Sequence, residues 1–309
     1  MLAIQISQMA ITGVNVLAWL SYEAAKDFIL PIILTLLAGG FAYLIFVKET
    51  RRDQKMQWKA DKQIQRDKLS YFSNVVKNVI SISEQQNASI LAFVEEQRAY
   101  LTEGKQLLQF SLNEFRRVTT DLQLEDYMLA YVNHYKEDRQ ISIKEFNKII
   151  VRIDMLYGTF KVMEPHLQFV QEDERQAKER FIGYFESASK LVAVLALRLR
   201  QSAPQLEEEM NAIAGASLGS KTEKRDLEFC YRTFIVPFNT FAFKYAFTAL
   251  AETPQIQELA TLTKDAKSIY EQIVDRNESL ADDFHAQYIR LKPEIEQLKE
   301  YSKRLIEDF

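Results

Sequence analysis

The sequence predicts an all-α protein, and three observations support this fold class. The chain of 309 residues contains only 8 glycines and 6 prolines, so residues that interrupt helices are few. Long stretches are rich in Lys, Glu, Gln, Leu and Ala, which favour helix. Strand-like alternation is rare, and no Asn-Gly or Asp-Gly pair marks a hairpin turn. We expect an N-terminal transmembrane helix, a long helical neck and a cytoplasmic helical bundle.

The first segment, residues 1–27, is apolar but not continuously so. Residues 2–20 contain many aliphatic side chains, interrupted by Gln5, Gln8 and Asn15. This pattern predicts a short amphipathic helix on the external side of a membrane. The alternative is a two-helix membrane hairpin with residues 21–27 as its loop, in which the polar side chains would need partners inside the lipid.

Residues 28–47 form an uncharged run of twenty residues, FILPIILTLLAGGFAYLIFV. At about 1.5 Å per residue a helix of this length covers roughly the 30 Å hydrocarbon core of a bilayer. The run therefore predicts an uncleaved membrane anchor, in preference to a buried core helix or a cleavable signal peptide. The residues that characterise this span are Phe28, Pro31, Thr35, Gly39, Gly40 and Val47.

A basic strip follows the apolar run and predicts its orientation. Residues 48–68 contain eight basic and four acidic side chains, a net charge of +4, whereas the N-terminal flank offers only Lys26. Because Lys and Arg stay on the cytoplasmic side, we expect residues 48–309 in the cytoplasm, at the inner membrane of a bacterium. The basic residues of the strip are Lys48, Arg51, Arg52, Lys55, Lys59, Lys62, Arg66 and Lys68.

Residues 48–122 are predicted to form a helical neck that is nearly continuous with the membrane helix as far as about Tyr100. An apolar stripe at 3–4 spacing indicates a coiled coil or a member of a helical bundle. Ser83, Gln86 and Gln97 interrupt the stripe and weaken the coiled-coil interpretation, and Gly104 marks a break or bend. The apolar positions expected to pack are Leu69, Phe72, Val76, Val79, Ile90 and Phe93.

Residues 123–309 are predicted to form a cytoplasmic helical domain. The expected helices span about 123–136, 142–163, 167–200, 205–213, 254–290 and 293–309. Residues 214–226 look like a loop or hinge. The run 229–251 holds eight aromatic side chains but also Arg232, Pro237, Asn239 and Lys244, which favour a core helix over a second membrane segment.

No motif in the chain predicts catalysis or metal binding. Gly-rich phosphate loops, GxSxG, CxxC and HExxH are absent from the sequence. A carboxylate-x-x-His pair, Asp282 and His285, has no second pair to complete a two-metal centre and is interpreted as a solvated helix face. Ser142 and Glu145 fit a helix capping box better than a calcium loop. The lone Cys230 is expected to be a buried small apolar residue. We therefore expect no cofactor, no metal site and no enzymatic activity, and we identify no small-molecule substrate.

Charge and layout indicate the class of partner. Residues 69–309 carry a net charge of −7, which argues against extended nucleic-acid binding. An anchor, a charged helical neck and a helical domain resemble the layout of bacterial membrane-anchored proteins, including phage abortive-infection proteins; this likeness rests on layout, and no functional residue follows from it. The leading hypothesis is a membrane-anchored scaffold that forms a homo-oligomer or holds a soluble cytoplasmic protein. The alternative is a membrane-perturbing effector, of the kind used in phage defence, gated by its helical domain.

Overall fold

The computed structural model describes residues 30–135, 138–219, 226–248 and 252–309. The predicted all-α class is confirmed, since the regular structure in these ranges is helical and contains no strand. Two short π-helical segments, Arg117–Asp121 and Tyr231–Ile235, continue the α-helical turns Asn113–Arg116 and Leu227–Cys230. The α-helices are α1 (Leu30–Ala99), α2 (Asn113–Arg116), α3 (Leu124–Tyr135), α4 (Arg139–Ser202), α5 (Pro204–Gly219), α6 (Leu227–Cys230), α7 (Val236–Tyr245) and α8 (Thr253–Asp308).

The chain divides into two units at the boundary between Lys68 and Leu69. In the first unit the described residues are 30–68, and all of them belong to α1. Phe28, the first residue of the predicted membrane span, lies outside the described residues. The whole segment 1–27 also lies outside them. Within the ranges that the structure describes, no helix is both long and apolar enough to cross a membrane.

The second unit contains a first hydrophobic core built mainly from four helices. Most of its buried side chains come from α1 from Leu69 onward, from α3, from the first half of α4 and from the second half of α8. Leu107, Phe115 and Val118, between α1 and α3, complete it. Aromatic contacts connect these helices: the ring of Phe72 lies 5.4 Å from that of Phe146, and the ring of Phe93 lies 5.1 Å from that of Phe284. The neck stripe therefore packs inside the same chain, as a bundle member.

A second hydrophobic core follows along the same two long helices. It is formed by the second half of α4, by α5, by the π-helical segment Tyr231–Ile235, by α7 and by the first half of α8. The aromatic run supplies Phe234, Phe238 and Phe241, which are at most 5% exposed. The predicted core role of this run is confirmed for these residues, whereas Phe247 is 88% exposed.

The predicted interruptions between residues 163 and 167 and between residues 290 and 293 are wrong. Helix α4 continues through Pro165, and α8 continues through Pro293. A proline inside a helix removes one backbone hydrogen bond but does not have to end the helix. Both prolines are exposed, and buried residues on either side, such as Met163 and Leu167 in α4, keep the packed face continuous.

Two further local predictions are corrected by the structure. Helix α4 begins at Arg139, and its N-cap is Asp138, whose carboxylate accepts a 2.8 Å hydrogen bond from the amide of Gln140. Ser142 is therefore inside the helix and buried, not its cap, because an earlier acidic residue supplies the capping oxygen. The loop expected at 214–226 is helical up to Gly219 in α5, while residues 220–225 lie outside the described residues.

Candidate functional site

Helix α1 exposes large apolar side chains on all its faces between residues 34 and 46. Eight large hydrophobic side chains in this stretch are 55–70% exposed. A helix that is apolar all round is normally buried in a protein core or in a membrane, so this stretch needs an apolar environment. The exposed side chains are Leu34, Leu36, Leu37, Phe41, Tyr43, Leu44, Ile45 and Phe46.

The polar and small residues of the predicted span are compatible with an apolar surrounding. The hydroxyl of Thr35 donates a 2.8 Å hydrogen bond to the carbonyl oxygen of Pro31, so it needs no partner outside the helix. A methyl group placed on Gly39 or Gly40 would meet nothing within 4 Å. Val47, the last residue of the run, is half-buried. The hydroxyl of Thr35 is therefore satisfied within the helix, and the backbone at Gly39 and Gly40 is open to contact by surrounding groups.

The basic strip continues on the same helix. Its lysines and arginines are exposed, except for Lys68, which is half-buried at the boundary of the two units. The ammonium group of Lys62 lies 5.2 Å from the ring of Trp58, a cation–π distance, and Trp58 is 61% exposed. The strip is thus a solvated, positively charged surface directly after the apolar stretch.

The predicted neck-packing residues have a structural role in the first core. Leu69, Phe72, Val76, Val79 and Ile90 are fully buried, and Phe93 is 2% exposed. Because their partners are other helices of the same chain, they are not accessible to a second protein. The coiled-coil alternative for this stripe is therefore replaced by packing within the bundle.

A second apolar stripe, which the sequence analysis missed, lies on α4. The side chains of Val151, Val162 and Phe169 are 60–72% exposed, on the side opposite the buried Leu156 and Met163. Met155, Gly158 and Pro165 fill the intervening positions, so the six residues follow alternating spacings of four and three. This spacing is typical of a helix surface that another helix contacts. The signal was present in the sequence but is hidden by the stronger core stripe on the same helix.

An apolar cavity of about 510 Å³ lies beside the second core. It is bounded by α4, α5, α6 and the Tyr231–Ile235 π-helical segment, and none of its twelve lining residues carries a formal charge. Phe229 and Phe234 form buried parts of the wall, and Ala193 is exposed at the mouth. Cys230 is half-buried and faces this cavity, so the prediction of a fully buried cysteine is wrong.

The π-helical wall of the cavity is held by an aromatic stack. The rings of Tyr231 and Tyr270 lie parallel, with their centroids 3.7 Å apart, and connect this segment to α8. Burial raises the pKa of Tyr270 to about 12, so its phenol stays neutral at physiological pH. The stack therefore anchors the wall without introducing a charge.

Helices α5 and α7 are connected by a charged network next to the cavity. The hydroxyl of Tyr245 donates a 2.8 Å hydrogen bond to Glu209, and the ammonium group of Lys244 lies 3.1 Å from the same carboxylate. The hydrogen bond from Tyr245, together with Lys244, lowers the pKa of Glu209. The contact of Glu209 with α7 was not foreseen from the sequence.

This network predicts a pH-dependent effect of Tyr245→Phe. At neutral pH the free energy of unfolding of the variant is expected to be lower than that of the wild type by about 0.5–1.5 kcal/mol. The value should lie towards the lower end of this range because the network is partly exposed. A carboxylate with a lowered pKa stabilises the fold above its ordinary value of 4.5, and this contribution disappears as the pH falls through the folded-state pKa. The difference between the melting temperatures of wild type and variant should therefore shrink in acid.

The control for this measurement is Glu208→Gln, which changes the exposed neighbouring carboxylate. In this control the melting temperature is expected to depend on pH in the same way as in the wild type. A difference between wild type and Tyr245→Phe that stays constant down to about pH 3 would contradict the assignment.

The carboxylates and histidine considered as metal ligands are used differently. Asp282 forms a 2.7 Å ion pair with Arg98, which connects α8 to the end of α1. The ring of His285 lies 6.3 Å from that of Tyr288. Among the residues that the structure describes, no group of three or more His, Cys, Asp and Glu side chains is arranged to hold a metal ion.

Comparison with known proteins adds no further information about the function. No protein family, no curated protein and no solved structure matches the chain.

Proposed function

We propose that this chain is a membrane-anchored helical interaction protein, with residues 28–47 as its anchor and residues 69–309 as a helical unit at the cytoplasmic face. The observation that carries the proposal is the stretch 34–46 of α1, which is apolar and exposed on every face. A helix of this kind in water leaves its apolar surface unsatisfied, whereas lipid removes that cost. The hydroxyl of Thr35 is already satisfied by the helix backbone, as lipid requires.

The basic strip supports the orientation. The strip carries a net charge of +4, and its first basic residue, Lys48, directly follows the apolar run. The anionic headgroups of the cytoplasmic membrane surface would lie at this level. Each basic residue close to such a surface contributes about 1 kcal/mol of attraction. The strip would hold the first part of the neck at the headgroup level and keep the acidic remainder of the chain on the same side.

The α4 stripe supports an interaction role for the second unit. Its six positions span nineteen residues, which corresponds to about 27 Å of helix. Gly158, near its centre, has nothing within 4 Å of the position that a methyl group would occupy, so a partner helix could approach the backbone there. The partner is a second copy of this chain or a soluble cytoplasmic protein.

A charge-insertion experiment tests the anchor. We expect Leu37→Lys combined with Leu44→Lys to release the protein from membranes that have been washed with alkaline carbonate, because each lysine near the centre of a span costs about 3 kcal/mol. The matched control is Met56→Lys combined with Ile64→Lys, which introduces the same two charges at exposed positions of the same helix. Retention of the double variant in the membrane, or release of the control, would overturn the proposed anchor.

The interaction role is tested by purification of the tagged protein from its native membranes in mild detergent, followed by native mass measurement. A soluble protein in fixed stoichiometry would support the scaffold, and Phe169→Lys should then abolish its recovery if the α4 stripe is the contact. A homo-oligomer without a partner would instead favour the membrane-perturbing effector. Loss of membrane potential on expression would identify the effector, and an intact potential would exclude it.

A further inference from the structure

The cavity beside the second core has the dimensions of a ligand site. Protein interiors pack densely and contain few voids larger than a water molecule. A space of about 510 Å³ falls within the range of roughly 300–1,000 Å³ that is typical of small-ligand sites. One side of the wall is π-helical, and such segments occur frequently at functional sites.

The three hydroxyl groups in the wall donate to backbone carbonyl oxygens, and the side-chain amide of Asn211 donates a 3.1 Å hydrogen bond to Glu207. The hydroxyl of Ser189 donates to the carbonyl oxygen of Phe185 at 2.7 Å, and the hydroxyl of Thr233 donates to the carbonyl oxygen of Phe229 at 2.7 Å. The hydroxyl of Ser217 donates to the carbonyl oxygen of Ala214 at 2.9 Å. A ligand that depends on these hydroxyl donors, or on a charge partner in the wall, would therefore gain little, and a buried ionic group would pay its full desolvation cost.

We propose that this cavity binds an uncharged apolar molecule about the size of one medium-length alkyl chain. The aromatic rings of Phe229 and Phe234 supply the apolar wall, and the exposed Ala193 marks the route of entry. Its lining shares no residue with the proposed anchor or with the α4 stripe. It adds a small-molecule input to a protein otherwise proposed to bind lipid and protein partners.

Cys230 makes this proposal directly measurable. It is the single cysteine of the chain, and it lines the cavity, so the rate of alkylation by N-ethylmaleimide reports access to this site. The full-length protein is labelled in detergent with increasing n-decanol, and the product is quantified by intact mass. At about ten times the dissociation constant of n-decanol we expect labelling to slow about tenfold, because only the ligand-free fraction reacts.

A cavity-filling variant controls for effects of the probe on the detergent. Ala196→Phe places a ring in the cavity, whereas Ala88→Phe adds the same ring at an exposed position of α1. Protection, expressed as the ratio of labelling rates with and without n-decanol, should disappear in Ala196→Phe and persist in Ala88→Phe. If Ala196→Phe does not fold, Ala214→Leu on the facing helix serves the same purpose.

Two results would overturn the proposal. One is a wild-type labelling rate that stays unchanged up to the solubility limit of n-decanol. The other is equal protection in wild type and in a folded cavity-filling variant, since this would place the effect in the detergent and not in the cavity.

Discussion

Replacement of Phe238 by alanine is expected to lower the free energy of unfolding by about 3–5 kcal/mol, the largest effect of any single change considered for this protein. Phe238 is fully buried in the second core, where its ring lies 4.5 Å from that of Phe234 and 6.5 Å from that of Phe241. Removal of the ring eliminates the favourable free energy of burying it. It also leaves a cavity that the surrounding helices fill only in part. Denaturant unfolding followed by circular dichroism measures the change.

The same aromatic run provides a matched control. Phe247 is 88% exposed, so Phe247→Ala should change the stability by no more than about 0.5 kcal/mol. The comparison tests whether the run is a core segment, since the two residues differ in burial and not in chemistry. Similar losses for both variants would contradict the assignment of the run to the core.

The second large effect is expected at two buried glutamines of α1. Gln97 donates to the carbonyl oxygen of Glu103 and accepts from the amide of Lys105, both at 3.2 Å. Gln86 donates to the carbonyl oxygen of Leu108 at 3.3 Å and accepts from the amide of Phe110 at 2.9 Å. Both side chains thus replace the backbone hydrogen bonds that the non-helical stretch 100–112 does not make with itself.

Gln97→Leu and Gln86→Leu should each cost about 1–3 kcal/mol, because each change removes the side-chain oxygen that accepts from the amide of Lys105 or of Phe110. The carbonyl oxygen of Leu108 still accepts a 2.7 Å hydrogen bond from Ser89 in Gln86→Leu. The two sites are about 16 Å apart along the helix, so the losses should add in the double variant. Hydrogen exchange should show faster exchange at the amides of Lys105 and Phe110. This local change in exchange distinguishes the loss of the glutamine hydrogen bonds from a general loss of stability.

Gln85→Leu serves as the control for these variants. Gln85 is adjacent to Gln86 but exposed, and its side chain contacts only Ser81 of the same helix among the hydrogen bonds described. It should leave exchange at residues 105 and 110 unchanged. If the control accelerates exchange there as much as Gln86→Leu does, the glutamines do not hold the stretch.

The two glutamines also show why the sequence could be interpreted in more than one way. A polar residue in an apolar stripe is equally typical of a coiled-coil register position and of a helix packed by its neighbours. Ser83 satisfies its hydroxyl on the carbonyl oxygen of Val79, within its own helix, whereas Gln86 and Gln97 bind a chain segment that follows α1. Only the position of that segment distinguishes a coiled-coil position from a helix packed by its neighbours. The spacing of apolar residues along the sequence does not reveal this position.

The cavity and the α4 stripe were not foreseen for a related reason. The stripe consists of apolar residues outside the buried face of α4, where the dominant core pattern obscures them. The cavity is bounded by residues of α4, α5, α6 and the π-helical segment, which are far apart in sequence. The exposed Val162 and the buried Met163 are neighbours of similar hydrophobicity, so composition cannot separate them. Glu209 likewise belongs to a contact with α7 that is distant in sequence.

The sequence by itself determined the helical class, the apolar stretch with its basic flank and the stripe from Leu69 to Phe93, because these properties follow from local composition and from helical spacing. Only the tertiary structure decided that the helices continue through Pro165 and Pro293, that the neck stripe packs within its own chain and that a cavity remains beside Cys230. Those features depend on contacts between residues far apart in the chain, where packing outweighs local preference.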